Sequence, residues 1–173
     1  MGIIVNVIYF NLMAQIILRS ITPKGKIFDI DKFDRESAKT LNDIIKKADR
    51  EFGKTVATWK RKPDFKIDRA TSGKLVAAVS TIDEIYGYVV RGTKAHQIHV
   101  KNAPALKFKS GFTSKTMPRK ITSRKGNRFG SWVSKRMVMH PGTTAREFDI
   151  VIAEQLQPKL VKEVRNDIKK ASS

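Results

Sequence analysis

At 173 residues the chain has the length of one domain, and its 40% hydrophobic content is enough for a packed core, which excludes full disorder. Cysteine is absent, so disulfides, thiolate metal sites and cysteine nucleophiles are excluded. The formal net charge is +19, from 35 Lys+Arg against 16 Asp+Glu.

Taken in chain order, residues 3–18 (IIVNVIYFNLMAQIIL) carry no charge. Met1-Gly2 offers no basic n-region and no small-residue cleavage site follows, so a signal peptide is not read here. Asn6, Asn11 and Gln15 interrupt a run already too short to span a bilayer. Alternation of Ile4, Asn6 and Ile8 with Val5, Val7 and Tyr9 predicts a strand, and residues 16–21 a second. The reading is an apolar, strand-like extension over residues 1–22 of a soluble protein, buried in the core or at a subunit interface.

After the turn at Pro23-Lys24-Gly25, a helix is predicted from Asp34 to Trp59. Its apolar stripe is Leu41, Ile45, Ala48, Phe52, Val56 and Trp59. Asp34 is its expected N-cap, with Phe33 stapled onto Ala38. The helix should end in Lys60-Arg61-Lys62, before Pro63, and Gly53 should mark a bend or close packing. The period then changes to two. Phe65 and Ile67, the turn at Ser72-Gly73, and Leu75, Ala77 and Val79 predict a β-hairpin. A third strand is expected over Ile85–Val90, a turn at Arg91-Gly92-Thr93, and short strands at 97–100 and 105–109. Residues 110–130 read as a long basic loop, and residues 131–139 as a strand. A last helix should follow His140-Pro141-Gly142, capped by Thr144 in a capping box with Glu147. Its stripe runs Phe148, Val151, Ile152, Leu156, Leu160, Val164 and Ile168, with a kink or break at Pro158. The predicted architecture is one α+β domain, an antiparallel β-sheet packed against the two helices.

The charge is concentrated. Residues 91–140 hold 13 of the Lys+Arg and no acid, and no Asp or Glu occurs between Glu84 and Glu147. Such a segment is either a solvated loop or the face presented to an anionic partner, and charge alone does not choose. The cations that count are Lys107, Lys109, Lys115, Arg119, Lys120, Arg124, Lys125, Arg128, Lys135 and Arg136. Phe108, Phe112, Phe129 and Trp132 are interleaved with them. Aromatics so placed can stack on bases, but core packing is the expectation for Phe108 and Trp132. No helix-turn-helix, RNP or zinc-finger signature is legible, so any nucleic-acid contact would be to the backbone and independent of sequence.

Enzyme signatures are weak. His96, His99 and His140 are the three histidines, and a metal-dependent hydrolase built on them ranks last, because residues three apart on a strand point to opposite faces. They read as structural imidazoles. The acids sit at spacings of solvated faces, and Ser72-Gly73-Lys74 lacks the upstream glycine of a phosphate loop. No catalytic, cofactor-binding or metal-binding residue is expected.

Two blocks carry a resemblance: Tyr86-Gly87-Tyr88-Val89-Val90-Arg91-Gly92-Thr93-Lys94-Ala95-His96, and His140-Pro141-Gly142-Thr143-Thr144-Ala145-Arg146-Glu147-Phe148. With the Trp59-x-x-Lys62-Pro63-x-Phe65 run and Ala105-Leu106-Lys107-Phe108, the order resembles the tail-component and neck proteins of tailed bacteriophages, the minor tail or tail-completion family of siphophages. The match covers roughly residues 25–170. The resemblance implies a structural virion protein and not an enzyme, made in the host cytoplasm and incorporated at the head–tail junction. It implies a homo-oligomeric ring, commonly of six subunits, contacting other neck, tail-tube or connector proteins and surrounding the DNA channel, with no membrane and no small-molecule substrate. On this reading Gly92 and Gly142 serve turns, while Arg91, His96, His140 and Arg146 hold the strands and last helix together. The segment from Lys109 to Lys135 would reach a neighbouring ring or the DNA. The alternative is a small sequence-independent nucleic-acid-binding protein using residues 107–136.

Overall fold

The computed structural model describes residues 28–121 and 127–172. The expected strands of residues 1–22, together with Arg124 and Lys125, lie outside the described residues. The fold is α+β, with three helices and small antiparallel sheets among the described residues.

Helix α1 spans Ile30–Thr55 and starts a turn earlier than the stripe suggested. Asp29, not Asp34, is its N-cap: the Asp29 carboxylate accepts from the Lys32 backbone N–H at 2.8 Å. The staple is correspondingly Phe28 on Phe33, with ring centroids 5.4 Å apart, and not Phe33 on Ala38. The helix also ends earlier, at Thr55, whose hydroxyl donates to the Phe52 carbonyl, so the basic run 60–62 lies beyond it. Gly53 is exposed with nothing within 4 Å of where a Cβ would stand, so it marks no close packing. The stripe itself is as the 3.6-residue period demands: Leu41, Ile45, Ala48 and Phe52 are buried, Val56 is buried just past the end, and Trp59 packs against the same core.

The hairpin follows, as β1 (Lys66–Asp68) and β2 (Ala78–Ser80), antiparallel with Ile67 opposite Val79. Thr71 and Lys74 bridge across the Ser72-Gly73 turn. The strand expected over Ile85–Val90 is instead a helix, α2 (Glu84–Arg91). Asp83 caps it by accepting from the Tyr86 N–H at 2.8 Å, and Tyr86 and Val90, one turn apart, are its buried positions. The β-branched, aromatic composition suggested a strand; the cap and the four-residue spacing decide for helix.

Helix α3 (Phe148–Ala171) closes the core. Thr144 does not cap it. The capping position is Glu147, in the left-handed region at φ 52° and without a side-chain cap bond. Pro158 is exposed and neither ends nor divides the helix, which runs through it as one element. α1 and α3 are antiparallel. The Asp29 N–H donates to the Ala171 carbonyl at one end, while Phe52, Tyr86 and Phe148 meet at the other, with ring centroids 6.3–6.4 Å apart. One turn in from the first end, the carboxylate of buried Asp167 accepts from Thr40 Oγ1 at 2.6 Å and from Lys170 Nζ at 3.4 Å.

Candidate interaction surface

The region between α2 and α3 is built differently from the core. Instead of one sheet laid on the helices, the chain forms a two-stranded ribbon in three pieces. β3 (His96–His99) pairs with β8 (Met137–His140), β4 (Leu106–Lys109) with β7 (Trp132–Lys135), and β5 (Phe112–Thr113) with β6 (Asn127–Arg128). Each piece is antiparallel, with no third strand among the described residues. The last pair places regular structure inside the segment read as a 110–130 loop. Six residues, 100–105, oppose the single Arg136 where the first piece meets the second, so the ribbon changes register there. Gly111 and Gly130, both at positive φ, turn it again before the third piece. A side chain at Gly111 would strike the Phe129 ring.

The base of the ribbon joins the two sequence blocks. Thr93 and Thr143 exchange backbone hydrogen bonds of 2.9 and 3.1 Å, and the Arg146 N–H donates to the carbonyls of Val89 and Val90 at 3.1 Å. Gly92 (φ 77°) and Gly142 (φ 90°) serve this crossing as expected: a Cβ on Gly92 would lie 2.5 Å from the Thr143 carbonyl oxygen, and one on Gly142 would meet the Thr93 carbonyl. Pro141 stands exposed beside it. Tyr86 packs edge-on to Phe65 at 5.2 Å, beside fully buried Phe148. Burial raises the Tyr86 phenol above its ordinary range. Gly87 lies under the Arg91 guanidinium, and Arg91 is exposed and forms no ion pair among the described residues.

Arg146 does act as a tie. It is buried, donating from Nε to Thr116 Oγ1 at 3.2 Å and from Nη2 to Ser114 Oγ at 3.3 Å. It thereby holds residues 114–121 against the body, where Thr116 and Ile121 are also buried. Several cations expected to face outward are spent on this docking. Arg119 reaches Glu147 at 3.0 Å and Glu154 at 2.8 Å, and these two carboxylates raise its pKa. Lys115 donates to the Thr58 carbonyl at 3.1 Å. Lys120 is not spent in this way: its backbone bridges Met117 in a turn and its side chain is exposed. Arg128 lies on β6.

The remaining cations line the ribbon. Lys107, Lys109, Lys135 and Arg136 are exposed and form no ion pair among the described residues. Directly opposed residues of an antiparallel pair share a face, so one face of the middle piece carries Lys107, Lys109, Trp132 and Ser134, and the other Leu106, Phe108, Val133 and Lys135. Phe108 is half-buried, but Trp132 is 72% exposed, which corrects the core placement expected for it. The signal was available: Trp132 shares its alternation with Ser134 and Arg136, while Val133 takes the opposite face. Met137, Met139 and Phe129 add further exposed apolar surface.

The histidines divide as extended geometry requires. His96 and His140 are cross-strand partners with ring centroids 5.0 Å apart, while His99 is on the other face, 3.2 Å from Gln97 Oε1. His96 Nδ1 donates to the Lys94 carbonyl at 2.9 Å and His140 Nδ1 accepts from the Gly142 N–H at 3.0 Å. The pair therefore fixes the ribbon base to its turns. No group of three or more His, Asp or Glu is placed to hold a metal ion among the described residues, and no helix among them is long and apolar enough to cross a membrane. No family model, curated protein or solved structure matches the chain.

Proposed function

We propose that the chain is a structural virion subunit of a tailed bacteriophage, a ring-forming tail-completion or neck component at the head–tail junction. The observation that carries this reading is the junction at the ribbon base. The two blocks on which the resemblance rests are about fifty residues apart, and they meet through Thr93–Thr143, Gly92, Gly142 and Arg146. In this chain they form one structural unit. The ribbon adds support. A two-stranded ribbon with open edges is at best marginally stable alone, and its exposed Trp132, Met137 and Met139 are surface that a neighbouring subunit or ring can cover. On this reading the helices and the β1–β2 hairpin form the ring body, and the ribbon makes the joint to a neighbouring ring or lines the DNA channel.

The test is the mass of the full chain by native mass spectrometry and light scattering, alone and mixed with candidate neck and tail proteins, at low and high salt. The expected result is a discrete ring, or a monomer that assembles into one with those partners. A chain that stays monomeric in every mixture overturns the reading.

A further inference from the structure

Among the described residues, the Lys107–Lys109–Trp132 face of the ribbon forms no ion pair. It is exposed, and no acid occurs in sequence between Glu84 and Glu147 to neutralise it. Lys109 Nζ stands 5.7 Å from the centroid of the Trp132 ring, the geometry of a cation–π contact. With Trp132 72% exposed, that contact leaves most of the indole open to solvent. An exposed indole with an ammonium over its ring offers two complementary contacts at once: the flat apolar surface left open for an aromatic base, and a positive charge for the phosphate attached to it.

We infer that this face is a binding site for single-stranded nucleic acid, with Trp132 stacking on a base and Lys107 and Lys109 contacting its backbone. Charge complementarity selects a polyanion. The exposed indole selects a strand whose base faces are free, since a duplex keeps its bases stacked on one another and offers cations only its phosphates. Ser134, on the same face opposite Lys107, adds a hydroxyl for a phosphate or base edge. Phe129, 57% exposed and pinned over Gly111, stands three residues from Trp132 as a second stacking surface. Recognition is independent of sequence, because stacking accepts any base. The inference does not rest on the ring assignment: it holds for a monomer and for a ring subunit whose ribbon is uncovered.

The chain has two tryptophans, of which Trp59 packs against the core, so Trp132 is the reporter. Full-length protein is titrated with oligo(dT), with a duplex of equal length and with vesicles containing anionic lipid, following tryptophan fluorescence and the anisotropy of labelled oligonucleotide. Oligo(dT) should quench the Trp132 signal and bind more tightly than the duplex at the same salt. Trp132→Ala should weaken oligo(dT) binding by about ten-fold or more with the salt slope unchanged, and Trp132→Phe should keep most of the affinity while losing the quench. Lys107→Ala with Lys109→Ala should make the slope of log K against log salt shallower by roughly 1.4. Circular dichroism of each variant checks that the fold is intact. Equal affinity for duplex and single strand, insensitive to Trp132→Ala, overturns the proposal, as does quenching by the vesicles without binding of oligo(dT).

Discussion

Gly142 and Gly53 show how differently one residue type is used. Gly142 sits at φ 90° with the Thr93 carbonyl where a side chain would go, so Gly142→Ala combines left-handed strain with a backbone clash and should cost about 2 kcal/mol or more. Gly53 is helical and open, so Gly53→Ala should stabilise by about 0.5–1 kcal/mol. Urea unfolding of the two variants checks the opposite signs. Tyr86 gives a pH dependence. Its phenol is raised by burial, so above about pH 10 the unfolded chain has lost that proton while the native state keeps it. Stability from this group is full below the ordinary tyrosine pKa and falls as pH climbs beyond it. Unfolding midpoints measured from pH 8 to 11.5 should decline more steeply in the parent than in Tyr86→Phe. Only composition-level signs of these roles were legible in sequence. The glycines were readable as turns, but the approach of Thr93 to Gly142 comes from a chain segment fifty residues away.

Among elements, α1 and α3 were the most legible, because an amphipathic stripe sustained over 24–26 residues has few alternatives. Their ends were not. The capping carboxylates at Asp29 and Asp34 look equivalent until Phe28 is seen against Phe33. Helix α2 was misread because eight residues hold only two turns of pattern, and the run IYGYVV has strand composition. Tertiary burial of Tyr86 and Val90 overrides that preference. Pro158 raises a separate point about α3. It occupies an exposed interior position where its ring removes a backbone donor, so Pro158→Ala should stabilise the helix by about 1–3 kcal/mol. Thermal unfolding by circular dichroism reads this as a raised midpoint.

At the scale of the whole molecule, the division is between a body and a ribbon. The body holds the buried apolar cluster, drawn from α1, β1–β2, α2 and α3 together with Ile121. In the ribbon, every residue of β3 is exposed. Backbone amides of α1 and α3 should therefore exchange hydrogen slowly, and those of β3, β4, β7 and β8 many-fold faster in the free chain. Assembly or ligand binding over the ribbon should slow the second set alone, which exchange mass spectrometry resolves directly. Sequence showed where the positive charge lies but not how it is apportioned. Arg119 and Lys115 look like Lys107 and Lys109 in one dimension, yet Arg146 holds the segment of the first pair against the body, where both find partners.

The antiparallel pairing of α1 with α3 also sets a length. Phe28 lies beside the end of α3, whereas the ribbon leaves at the opposite pole, beside its start. Twenty-four helical residues separate the two by about 36 Å. The helix pair is thus a strut between Phe28 and the ribbon base: a pull applied at the ribbon is carried along the axes of α1 and α3, parallel to their hydrogen bonds, rather than across them.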